Sequence, residues 1–157
     1  MAQELRRFVS GRTMESGIID AVGIWFFAKN TKRYLYLMRN DAKHPDVWAL
    51  PGGKRKDDES LIECIKRECV EELGTFPEHI KLAPVEQFTT PDEKFQYHTF
   101  FCMVEKEFKP VLNHEHLGYA WINAGTMPKF LHPGLYNTVK FDEIQNKIRY
   151  LENYISQ

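Results

Sequence analysis

The sequence is short of cysteine, of net positive charge and of long apolar runs, and each shortage removes a class of protein. Its three cysteines, Cys64, Cys69 and Cys102, are odd in number and form no CxxC pair. Neither a disulfide framework nor a thiolate zinc site is therefore expected. Twenty-one Lys and Arg stand against twenty-two Asp and Glu, for a formal net charge of −1. Proteins that live on nucleic-acid backbones draw their affinity from a basic excess, so no stable nucleic-acid complex is expected. The longest uncharged apolar run, Ala21 to Ala28, is too short to span a bilayer, and the opening MAQELRRFVSGRTMESG has no apolar signal core. These absences predict a cytoplasmic protein with no membrane attachment. No internal repeat, low-complexity tract or Pro/Gly/Ser linker divides the chain.

What is present suits one globular domain. The chain has 157 residues, 43% hydrophobic, 27% charged and 13% aromatic. A domain of that length buries roughly 68–70% of its unfolded surface and needs no covalent staple. Residues 1–17 are polar and read as an N-terminal extension, leaving 18–157 as the domain. The β-branched and aromatic stretch from Ile18 to Phe27, a polar turn over Asn30–Arg33 and the run Tyr34–Met38 predict a β-hairpin. A loop from Asn40 to Asp58 follows, punctuated by Pro45, Pro51, Gly52 and Gly53. Further strands are expected at Ile80–Thr90, Phe95–Val104 and Leu117–Ile122. A last helix is expected after Pro133-Gly134, with Ile144, Ile148, Leu151 and Ile155 on one face. This order predicts an α/β fold in which helices pack on a mixed sheet.

The clearest helix lies between these strands. Ser60 and Glu63 have capping-box spacing, and Gly74 stands where a left-handed residue would end the helix. Leu61, Ile62, Ile65, Cys69 and Leu73 recur with helical period and define its apolar face. The acidic residues of this helix oppose its stability. Glu68, Glu71 and Glu72 are neighbours at i, i+3 and i+4, where like charges repel, and they crowd the negative end of the macrodipole. At 100° per residue from Ile65, Glu72 falls about 20° and Glu68 about 60° from the centre of the apolar face. Arg67 can pair with Glu71, yet one guanidinium does not neutralise three acids. Converging carboxylates on a rigid helix suit a hard cation such as Mg²⁺ or Mn²⁺. A solvated acidic face is the other reading of the same pattern, because Glu is a good helix former.

The flanking residues favour the cation. Gly53, Glu59, Arg67, Glu68, Glu71, Glu72 and Gly74 occupy all seven fixed positions of the pattern Gx5Ex7REUxEExGU, in which U is aliphatic. The segment Gly53–Thr75 thus closely resembles the Nudix box, departing from it only where Cys69 and Thr75 replace aliphatic residues. Trp48–Gly53 resembles the loop leading into that box, and Glu115-His116-Leu117-Gly118-Tyr119-Ala120-Trp121 resembles an EHxxYxW segment of many members. The resemblance implies an α/β/α sandwich and an Mg²⁺-dependent hydrolase (Mn²⁺ substituting) that cleaves a phosphoanhydride in a nucleoside diphosphate linked to another group.

Roles follow from the resemblance residue by residue. Glu68, Glu71, Glu72 and the carbonyl of Gly52 are the implied metal ligands, Arg67 orients the glutamates, and Glu59 supports the loop or an additional ion. Family members take their base from a box glutamate, here Glu68 or Glu71, or from a distant loop, where Glu115 comes first and His116 second. Arg39, at the end of the second strand, and Lys54 are the implied phosphate contacts. Phe95, Tyr97 and Trp48 are candidates for stacking on a base. The EHLGYAW segment is similar to one in dihydroneopterin triphosphate and dNTP pyrophosphatases, so a small triphosphate cut to monophosphate and pyrophosphate is the leading substrate. Nucleotide-sugar hydrolysis of the GDP-mannose type, dinucleotide hydrolysis and a non-catalytic nucleotide-binding module are the alternatives. A homodimer is compatible with the sequence.

Overall fold

The computed structural model describes residues 17–43, 46–126, 128, 131, 135 and 141–154. The expected extension over 1–16, Pro45, the Pro133-Gly134 helix start and Ile155 lie outside the described residues. Seven strands form one mixed sheet: β1 (Ile19–Ala28), β2 (Arg33–Arg39), β3 (Trp48–Ala49), β4 (Gly52–Lys54), β5 (Lys81–Thr89), β6 (Phe95–Val104) and β7 (His116–Asn123). Among the described residues two helices accompany them, α1 (Leu61–Leu73) and α2 (Asp142–Glu152). The sheet is open and the fold is α/β.

Central β1 lies parallel to β6 along its whole length, Ile19 opposite Phe95 through Ala28 opposite Val104. Strand β5 adds antiparallel to β6 at the edge. Pro84 sits in that edge strand beside a register shift, a place where a missing N–H is tolerated. On its other side β1 is shared by two partners. Only Phe27 and Ala28 pair with β2, while Ala21, Val22 and Gly23 pair with β4. The expected hairpin is therefore real but confined to its turn. β2 diverges to pair along its length with β7, and with β3 at Leu37 and Met38. The expected loop from Asn40 to Asp58 is corrected accordingly: it contains the two short strands β3 and β4. Their brevity, and the Pro51-Gly52-Gly53 run at their junction, hid the alternation that marks a strand.

Alternation along β1 divides the core between the two faces. Val22, Ile24 and Phe26 join Leu35, Leu37, Phe100 and Cys102 against Ile65, Cys69 and Leu73 of α1. Trp25 and Phe27 join Tyr34, Tyr36, Phe101 and Met103 against Ile148 and Leu151 of α2. One helix covers each face, which is the expected α/β/α layering. Helix α1 begins and ends as its sequence predicts. The Ser60 side chain accepts from the Glu63 N–H, the Glu63 carboxylate accepts from the Ser60 N–H, and Gly74 adopts φ 82° at the C-terminus.

The apolar face of α1 needs one correction. Ile62 is 40% exposed, whereas Cys64 is buried. The first turn is covered from the Cys64 side by β4, where the thiol donates to the Gly53 carbonyl at 3.9 Å, and nothing in the local pattern announces that cover. The packed face makes a testable contrast. Ile65→Ala is expected to cost about 2–5 kcal/mol in chemical denaturation, and Ile62→Ala to stay within about 0.5 kcal/mol of the parent.

Candidate active site

Helix α1 carries its acids to the sheet edge where β4 crosses β1. Glu72 is 1% and Glu68 7% exposed, so two carboxylates of like sign are buried together at the rim of the core. They share a hydrogen bond, and burial followed by that contact holds the Glu72 carboxyl well above the usual range. One of the pair must keep a proton, or a cation must replace it. Glu72 Oε1 also accepts the Gly52 N–H at 3.3 Å. The absent side chains nearby are as informative. A Cβ on Gly53 would lie 2.5–2.7 Å from the Glu68 carboxylate, and one on Gly52, at φ 149°, would strike the Val22 carbonyl. The two glycines admit the acids to the backbone.

Arg67 organises the outer side of this pair. Its Nε donates to both oxygens of Glu59 at 2.9 and 3.1 Å, and a terminal N–H donates to Glu68 at 3.0 Å. Another donates to the Lys54 carbonyl at 2.9 Å, tying helix to β4. The Glu71 carboxylate lies 3.3–3.4 Å from the same guanidinium, and its side chain is 47% exposed. Arg67 thus reaches three acids, Glu59 most firmly, and the hydrogen bonds it donates hold the Glu59 carboxyl below its ordinary range. Glu72 alone of the four is beyond it.

The second motif arrives on β7. The His116 imidazole is buried, with Nδ1 3.9 Å from Glu72 Oε1. That nitrogen is a buried polar atom without a hydrogen-bond partner among the described residues. Burial pushes its pKa down to about 4, against the pull of the Glu115 carboxylate, so the ring is neutral near pH 7. Glu115 is exposed, its carboxylate accepting from the Asn113 amide at 2.9 Å, and its charge is felt by both Glu72 and His116. Arg39 lies close enough to influence His116, but its guanidinium is turned onto Asp41. Lys54 is exposed, and its backbone carbonyl rather than its ammonium joins the cluster.

One supporting group lies outside every motif noted in the sequence. Asp20 on β1 accepts from Arg55 at 3.1–3.3 Å and faces His98 Nε2 at 3.0 Å. Burial opposes its charge, but the His98 and Arg55 hydrogen bonds prevail and lower its pKa. Arg55 also donates to the Glu59 carbonyl at 2.8 Å, bracing the loop that presents Glu59 to Arg67. Polar residues at inward positions of two strands, Asp20 and His98, were the available signal.

The NUDIX domain profile matches residues 18–140. The chain belongs to the Nudix family. It is 32% identical over 120 residues to the dihydroneopterin triphosphate diphosphatase of Haemophilus influenzae, covering 67% of this chain and 74% of that one. It is 30% identical over 70 residues to the 8-oxo-dGTP diphosphatase of Buchnera aphidicola, covering 45% of this chain and 56% of the relative. Among solved structures, a Nudix hydrolase from M. smegmatis superposes with a TM-score of 0.67 at 16% identity, covering 89% of each chain. The E. coli dihydroneopterin triphosphate pyrophosphohydrolase superposes with a TM-score of 0.56 at 25% identity, over 68% of this chain and 81% of that one. This Nudix protein is a pyrophosphohydrolase, and no helix among its described residues is long and apolar enough to cross a membrane.

Nudix hydrolases generally use divalent metal ions, and the residues here fit one. Among the described residues no three of His, Cys, Asp or Glu converge into a closed cage. Mg²⁺ does not require one, because it keeps several waters and takes one or two carboxylates. The Glu68–Glu72 pair could supply those carboxylates, and Gly53 leaves room for one of them. The buried pair makes stability depend on pH. Above about pH 7, His116 is neutral in folded and unfolded chains alike. The folded state still holds the Glu72 proton that the unfolded chain has released, so stability falls as pH climbs toward the raised pKa. In EDTA, the melting temperature is expected to drop between pH 7 and 9. Mg²⁺ should offset that drop, and Glu72→Gln should flatten it.

Proposed function

We propose that this Nudix enzyme is an Mg²⁺-dependent pyrophosphohydrolase of small triphosphates, releasing a monophosphate and pyrophosphate. The observation that carries the reading is the buried Glu68–Glu72 pair, backed by Arg67 and facing the two glycines of β4. The Haemophilus and Buchnera relatives are both diphosphatases of triphosphates, one of a pterin and one of an oxidised purine nucleotide. The common chemistry is a planar bicyclic ring bearing a triphosphate chain. Either substrate is consistent with a site whose acids address the phosphates.

In this reading Glu68, Glu72 and the Gly52 carbonyl would hold the cation, with Glu71 beside them as a further ligand or a water-holding neighbour. Bound there, Mg²⁺ supplies charge for the non-bridging oxygens and the departing pyrophosphate. Arg67 orients Glu59, Glu68 and Glu71 through charge-assisted hydrogen bonds. Glu115, exposed on the segment leading into β7, takes the proton of the attacking water. His116, neutral and short of a partner at Nδ1, is a weak base but a well-placed hydrogen-bonding group. Arg39 and Lys54 receive the phosphate chain from outside the cluster, which requires Arg39 to exchange Asp41 for substrate.

The experiment is a phosphate- and pyrophosphate-release panel of dihydroneopterin triphosphate, (d)NTPs, 8-oxo-dGTP, nucleotide sugars and dinucleoside polyphosphates with Mg²⁺. Triphosphates are expected to lead it, and preferred turnover of a nucleotide sugar would overturn the substrate class. Glu72→Gln is expected to lose nearly all activity while staying folded. Glu115→Gln should lower kcat by about 10²–10⁴-fold, the usual range for a general base, and by more than His116→Ala does. The reverse order would move the base to His116.

A further inference from the structure

Tyr97 is a residue the proposed chemistry does not use, and its surroundings are unusual. It stands on β6 opposite Ala21 of β1, and its ring leans over the neighbouring Gly23. A Cβ at Gly23 would lie 2.1 Å from the Tyr97 hydroxyl and 2.9 Å from Cζ. Gly23 has no positive φ to explain it; the space for the phenol does. Gly23 is paired in register with Gly52 of β4, the residue whose N–H meets Glu72. Two adjacent strands are thus bare of side chains at the same level, beneath the phenol and beside the buried acid.

The hydroxyl makes no hydrogen bond among the described residues. The two charges it feels are the Glu72 carboxylate and the Arg39 guanidinium, one addressed to the cation and the other to phosphate. Burial, aided by Glu72, pushes the phenol up to about 12, so it remains a neutral O–H donor throughout the working range. The residue as a whole is half-buried, and its O–H is a donor that no described residue takes up, free for a ligand. A ligand that takes this donor between an acid-bound cation and an arginine is one rich in acceptors. Phosphate oxygens meet both conditions, being acceptors only.

We infer that the Tyr97 hydroxyl donates a hydrogen bond to the phosphate chain of the bound substrate, and that Gly23 is required because it makes room for that hydroxyl. The inference rests on the triphosphate reading above. It assigns a specific contact to a residue whose ring alone suggested base stacking. Substrates that lack a phosphate at this position gain nothing from the phenol.

The test pairs Tyr97→Phe with Gly23→Ala and with the double variant. A methyl group at position 23 would meet the far end of the Tyr97 side chain, so Gly23→Ala displaces the ring rather than unfolding the sheet. Three readouts are taken: steady-state kinetics, affinity for an α,β-methylene deoxynucleoside triphosphate with Mg²⁺, and Mn²⁺ affinity by electron paramagnetic resonance. Tyr97→Phe is expected to weaken analogue binding about tenfold, as for one lost hydrogen bond to a charged acceptor. It should raise KM similarly, leave Mn²⁺ affinity unchanged and leave the melting temperature unchanged. Gly23→Ala should lose at least as much, and Tyr97→Phe should cost little more in its presence, because the two act through one contact. Analogue affinity within twofold of the parent for Tyr97→Phe overturns the inference, as does a lowered melting temperature with unchanged affinity. Such results leave the proposed function standing if the parent hydrolyses triphosphates. A parent that neither binds the analogue nor hydrolyses any triphosphate overturns both.

Discussion

Two carboxylates buried against each other at the end of α1 are the constraint around which the rest of this Nudix enzyme is arranged. Placing like charges at the rim of a core is unfavourable, and the surrounding residues show how that cost is contained. Arg67 compensates Glu68 directly and Glu71 from outside. The Gly52 N–H reaches Glu72, and glycines at 52 and 53 let the backbone approach where any Cβ would collide. What remains uncompensated is Glu72, beyond Arg67 and beside an imidazole that burial keeps neutral. A divalent cation is the group proposed to complete the set. On the proposed reading the scaffold holds the site ready, and its unfavourable electrostatics would be the source of its affinity for the ion.

The fold serves this arrangement by dividing the partners of β1. Had β2 paired with β1 along its full length, as a long hairpin, β4 would have had no edge on which to dock. The early divergence of β2 opens that edge to Gly52, Gly53 and Lys54 and carries β7 to its other side. The same divergence brings His116 and Glu115 from a remote part of the chain to the acids of α1. Arg55 then locks the connecting loop by binding Asp20 of β1 and the carbonyl of Glu59. The buried Asp20–His98–Arg55 group thereby links the central strands to Glu59, and Glu59 to Arg67. Core and candidate active site share one set of strands.

Much of this was legible in advance, and unevenly so. The ends of α1 were readable because capping is local: Ser60, Glu63 and Gly74 act within a few residues of themselves. The rotation of Glu68 and Glu72 toward the core was readable because helical period is fixed, and their burial matches that geometry. The strands β3 and β4 were not readable, since two or three residues beside a proline and a pair of glycines carry no periodicity. Ile62 and Cys64 exchanged places because the cover over the first turn comes from β4. Tyr97 gave only its residue type, with no hint that Gly23 lies beneath its hydroxyl.

By itself, then, the sequence determined which acids converge on the proposed metal site, the helix that presents them and the family to which the chain belongs. Each depends on spacing within one regular element, where position along the chain converts directly into position in space. Tertiary structure alone decided which edge of β1 receives β4, that His116 is buried beside Glu72, that Arg67 takes Glu59 as its firmest partner, and that Tyr97 overlies Gly23. These are juxtapositions of residues far apart in the chain, set by strand pairing, and pairing is a property of the assembled sheet rather than of any strand within it.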